Sequence, residues 1–162
     1  MTPVSNSMLS AADETEALEQ LHRDRCTDGL PVIVPTRERV ERMVLAGGLD
    51  EDLVVGVMGP QNGAATVLHV AVNAVMAGCM PDYFPVALAA VRAVCQPDFD
   101  LAEVQGTTHA VAPLIIVNGP ARDACGLASG AGLMGPGHRA NASIGRALRL
   151  GIESQCAQPI IR

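Results

Sequence analysis

The stretch GLMGPGHRANASIGRALRLG, residues 132–151, sets a glycine-rich loop directly before an apolar helix. Glycines let backbone N–H groups approach a ligand closely, and a helix start favours negative charge. Arg139 stands just before Asn141, the expected N-cap, and its guanidinium suits a carboxylate or a phosphate. Gly135, Gly137, Arg139 and Asn141 therefore read as a binding site for a small anionic molecule. The alternative is a mobile loop with a solvated arginine. A P-loop is excluded, because it needs a lysine and all eleven basic residues are Arg. Gly130, Gly132 and Gly135 match the GxGxxG spacing of dinucleotide folds, but the helix does not follow at once.

Three further positions have side chains that can do chemistry. Thr107, Thr108 and His109 form a polar knot between apolar runs. His109 can act as an acid, a base or a ligand, or can be a structural histidine. The run AATVLHVAVNAVMAGC carries Thr66, His69 and Asn73 along one stripe of an otherwise apolar helix. Such a stripe is either satisfied by partners or lines a cavity. Cys79 follows that helix at its C-terminal end, where the dipole does not stabilise a thiolate. A buried, inert thiol is the alternative to a nucleophile there. The histidines lack metal-ligand spacing, and neither CxxC nor GxSxG occurs, so no metal site is expected and the cofactor is left unknown.

The elements that must position these residues follow from periodicity and punctuation. Residues 11–25 read as a helix, and 30–34 as a short buried strand or extended run. Thr36 caps a helix that stops at Gly47 and Gly48. Two apolar helices are expected over 64–77 and 82–95, apolar around nearly their whole circumference. Residues 101–118 read as strand, polar loop and strand, with 114–117 the clearest strand. The last helix spans about 142–152. This order implies an α/β fold, or a mixed α+β one: a helix-rich single domain over 11–162 with a short central sheet, after a flexible arm at 1–10.

Composition bounds the function. Apolar residues at 49% against 17% charged suit a packed core rather than disorder. A net charge of −6 with few aromatics argues against nucleic acid. No apolar run has membrane-spanning length, and the N-terminus lacks the basic and apolar segments of a signal peptide. A cytoplasmic protein is expected, with its five cysteines, Cys26, Cys79, Cys95, Cys125 and Cys156, as thiols. Two helices with apolar surfaces all round exceed what one small core hides, so a homo- or hetero-oligomer is expected.

Four ordered blocks, TDGLPVIVPT, NAVMAGCMPDYFPVALAAV, QGTTHAVAPLIIVNGP and GPGHRANASIGRALRL, resemble a bacterial family of little-characterised proteins. Its genes often lie near those of small (seleno)proteins with a UGSC motif. The likeness covers roughly residues 26–150 and departs from the commoner family residues at Cys26, Ala128 and His138. It implies a subunit of a small-molecule enzyme: a lyase, a hydrolase or a thiol-assisted reductive cleavage. It also implies a longer or thiol/selenol-bearing partner. Carried onto this chain, it adds Asp28 and Asn118 to Asn73, Cys79, Thr107, Thr108, His109, Arg139 and Asn141. Asp28, Asn73, Cys79 and His109 take the catalytic roles and the others bind substrate. The alternative is a non-catalytic accessory subunit that completes the site of a catalytic partner.

Overall fold

The computed structural model describes residues 8–60, 62–153 and 160–161. The first helix, α1 (Glu14–Arg23), starts where the Asp13 side chain accepts the Glu16 N–H, and it buries Ala17 and Leu21. The second, α2 (Arg37–Gly47), is capped by Thr36, which accepts from the Arg39 N–H. It stops at Gly48, whose φ of 61° is a left-handed conformation that glycine adopts without strain.

A hairpin follows, with β2 (Val54–Met58) antiparallel to β3 (Gly63–Thr66). The helix expected from residue 64 therefore starts later, as α3 (Val67–Met76). The reason is local. Residues 63–66 pair with β2, and Thr66 then closes a capping box. Its hydroxyl accepts from the His69 N–H, and His69 Nδ1 accepts from the Thr66 N–H. Two members of the expected polar stripe thus build the start of α3.

A single turn at Pro81–Tyr83 leads into α4 (Phe84–Val94), which buries Phe84, Val86, Leu88 and Val91. Residues 101–106, expected as a strand, instead form α5 (Leu101–Gly106), because Asp100 caps the Glu103 N–H and Leu101 is buried. Residues 111–118, expected to include a strand, form no regular element and pair with no strand among the described residues. After α6 (Pro120–Ala124) and the glycine loop comes α7 (Arg139–Glu153). The last strand, β4 (Ile160–Ile161), runs parallel to β1 (Met8–Leu9). Of the arm expected at 1–10, residues 1–7 lie outside the described residues, and Met8–Leu9 is this paired strand.

The fold is the helix-rich mixed α and β class, with its described strands in two small ladders. Its centre is α3, which packs against α2, α4 and α7. Every residue of α3 except His69 is buried. Each Val or Leu so buried contributes about 1.5–3 kcal/mol. The 30–34 run is extended across the end of this helix, with Val32 and Val34 inward and the Ile33 N–H on the Met76 carbonyl. No helix among the described residues is long and apolar enough to cross a membrane.

One ion pair ties the first block to the last helix. Arg146 Nε and Nη2 reach the two Asp28 carboxylate oxygens at 2.9 and 2.8 Å, and Nη2 also donates to the Pro31 carbonyl at 3.0 Å. The Arg146 hydrogen bond, more than its charge, holds the Asp28 carboxyl below its ordinary value, against the opposing effect of burial. Arg146→Ala is expected to lower stability by about 2–3 kcal/mol, since it leaves a half-buried carboxylate unpaired. The pair's contribution is complete above the ordinary Asp28 value of 3.8 and is lost as pH falls through the lower folded value. Urea melts of wild type and Asp28→Asn between neutral pH and pH 3 check this; the variant should lose that part of the acid sensitivity.

Candidate functional site

The glycine loop and the start of α7 form one wall of a groove of about 300 Å³. Leu127, Leu133, Met134, Gly135 and Asn141 face residues 113–117 across it. Asn141 shapes that wall. Its Oδ1 accepts the Ala128 N–H at 2.9 Å, and its Nδ2 donates to the Ala128 and Leu133 carbonyls. Both ends of the loop are therefore pinned to the helix. Asn141 is not the N-cap: α7 begins two residues earlier, because the Ala142 N–H bonds the His138 carbonyl. Gly137 lies at a left-handed φ of 100°, whereas Gly135 does not and bonds the Gly132 carbonyl through its N–H.

Arg139 does not present its fork to open space. Nε and Nη2 both donate to the Gly78 carbonyl, at 3.0 and 2.9 Å, just past the C-terminal end of α3. A helix end carries partial negative charge, so the guanidinium is drawn there. A carbonyl does not neutralise it, and no acidic side chain among the described residues pairs with Arg139.

Cys79 lies beside this bond and is buried. Burial pushes its thiol up from an ordinary 9.0 to about 11, while the facing Ser143 hydroxyl and the Arg139 charge pull weakly the other way. The thiol is therefore protonated at neutral pH and is no nucleophile in this state. Ser143 is buried without a well-aligned hydrogen-bond partner, and the thiol is its polar neighbour. Cys125, also buried, donates to the Asp82 carbonyl at 3.4 Å, and its thiol is pushed up by burial and by the Asp82 charge. Cys26 and Cys95 are half-buried. Cys156 lies outside the described residues.

Asn73 is buried in α3 and donates to the His69 carbonyl one turn back, at 2.9 Å. Burial lowers the His69 pKa, so the ring is neutral at pH 7, and its Nε2 is buried without a hydrogen-bond partner. Asp28 is held by Arg146, as described above. Thr107, Thr108, His109 and Asn118 are exposed in the irregular chain between α5 and α6. Thr107 Oγ1 accepts the His109 N–H. Asn118 lines a second, mostly apolar groove of about 640 Å³ against α4. Neither His109 nor Arg139 lines either groove. No three His, Cys, Asp or Glu side chains among the described residues converge as metal ligands.

Sequence reasoning missed Ser143 and Arg146. With Arg139 they stand at spacings of four and three, a polar stripe along α7, and that spacing is visible in RANASIGR. The groove sets apolar walls beside the peptide groups of a loop held by Asn141. It sets no acid, base or nucleophile against that space.

The protonated state of Cys79 is testable. Its thiolate fraction at neutral pH should be about a hundredfold below that of an unperturbed thiol. Iodoacetamide mapping of the native protein should modify Cys26 and Cys95 well before Cys79, and denaturant should abolish the difference. Arg139→Ala should lower stability by about 1 kcal/mol through the lost link to Gly78. Comparison with protein-family models, curated proteins and solved structures finds no match to this chain.

Proposed function

We propose that this chain is a subunit of a bacterial small-molecule enzyme and does no chemistry alone. Its role is to present the glycine-loop groove and the polar knot at 107–109 to a partner that completes the site. One observation supports this reading above the others. Of the residues suited to chemistry, half-buried Asp28 and buried Asn73 and Cys79 are held in structural bonds or protonated, and Thr107, Thr108 and His109 lie exposed outside both grooves. Such residues gain a dry, enclosed setting only when another surface covers them.

The ligand in this reading is a small anion with an apolar body. The groove offers apolar walls from Leu127, Leu133 and Ile144, and the uncompensated charge of Arg139 lies nearby on α7. The family resemblance supports a lyase, a hydrolase or a thiol-assisted reductive cleavage as the reaction of the assembled enzyme. His109 is the acid–base candidate that such an assembly would enclose.

The isolated chain should show no thermal shift with small carboxylates or phosphate esters. The assembly purified from its native host should show one and should turn over its substrate. His109→Ala should leave the melting temperature of the chain unchanged and reduce turnover of the assembly by about 10²-fold or more. Full activity of the isolated chain, or an unaltered rate in His109→Ala, overturns the reading.

A further inference from the structure

We propose that residues 112–118 are an edge strand, completed by the same residues of a second copy of this chain running antiparallel about a two-fold axis. These residues lie in no helix or strand, and none of their main-chain N–H or C=O groups is hydrogen-bonded within the chain. Their exposure alternates as in a strand. Ile115 and Val117 rest on the core, whereas Leu114 is 69% and Ile116 is 75% exposed. The two grooves flank this segment, one towards α4 and the other towards the glycine loop, so both of its edges border open space. A small ligand or a helix laid there leaves the row of peptide groups unpaired; a strand pairs it.

Three observations select a second copy as that strand. The first is charge: none is carried between His109 and Arg122, so the segment meets its own copy without repulsion and offers no ionic mark for a different partner. The second is the proline. Main-chain groups of alternate residues point to opposite edges, so Pro113 weakens only the edge it shares with Ile115 and Val117. The other edge, through Ala112, Leu114, Ile116 and Asn118, keeps every N–H. Two-fold pairing over that edge sets Leu114 opposite Ile116, Ala112 opposite Asn118, and Ile115 opposite itself. The third is area. A stable dimer needs about 800 Å² from each copy. Between residues 106 and 137 only Cys125 is buried, so apolar surface for the contact is at hand, Met134 at 81% exposure included.

This contact is separate from the one that the functional reading calls for, and its test does not depend on a ligand. Sedimentation velocity of the wild-type chain at micromolar concentration should show a dimer. Ile116→Pro removes an N–H from the pairing edge and should weaken dimerisation at least about tenfold. Ile116→Arg, at an exposed position, should do the same without altering circular dichroism. Ile115→Cys should give a reducible cross-linked dimer absent from wild type, because the two residues face each other with Cα atoms about 4.5 Å apart. Val111→Cys, far from the axis, should not. A monomeric wild type, a dimer indifferent to both Ile116 variants, or no cross-link at residue 115 overturns the pairing. A dimer that forms through this edge and whose native assembly binds no anion leaves the pairing standing and removes the functional reading alone.

Discussion

Hiding α3 from water is the constraint on which the rest of this structure depends. The helix is apolar on all sides, so it must be covered on all sides. Helices α2, α4 and α7 supply most of that cover. The extended 30–34 run closes over its far end, and the β2–β3 hairpin delivers the chain into its first turn. A helix so enclosed has its main-chain ends inside the protein, where unpaired groups are costly. Thr66 and His69 satisfy groups at one end, and Arg139, Ile33 and Cys79 meet carbonyls at the other.

That demand explains why side chains with chemical potential are occupied elsewhere. Arg139 lies where a helix C-terminus needs a cation, and Asn73, in an apolar helix, donates to the carbonyl one turn back. Asp28 and Arg146 join the chain's first block to its last helix across a boundary that apolar packing alone leaves free to slide. Each is suited to catalysis by type and committed to architecture by place. What remains free is concentrated on one face, along the connector from α5 to α6 and the glycine loop after it.

How much of this could be read from the residues differs by element. Thr36 with Gly47 and Gly48 framed α2, because capping and left-handed closure are local. The apolar character of α3 and α4 announced their burial. The beginning of α3 could not be read, since Gly63–Thr66 becomes strand only through its pairing with β2. LAEVQG reads as a strand by alternation, yet Asp100 caps it into a helix. LIIV at 114–117 has the composition and the alternating exposure of a strand but pairs with no strand among the described residues. The glycine loop was placed correctly beside α7, but the targets of Arg139 and Asn141, Gly78 and Ala128, are set by tertiary packing. The Arg139, Ser143 and Arg146 stripe was legible by spacing and became meaningful only beside Gly78, Cys79 and Asp28.

The ladder of β1 with β4 has a consequence for synthesis. Met8 and Leu9 leave the ribosome long before their partners Ile160 and Ile161, and the Ile161 N–H also closes on the Pro35 carbonyl. Contacts of such long sequence separation form last and slowly. The helical core can collapse around α3 while the ribosomal tunnel still holds β4. Pro35 and the edge of β1 then wait uncovered, and the nascent chain is open to unwanted pairing in the interval before Ile160 and Ile161 emerge.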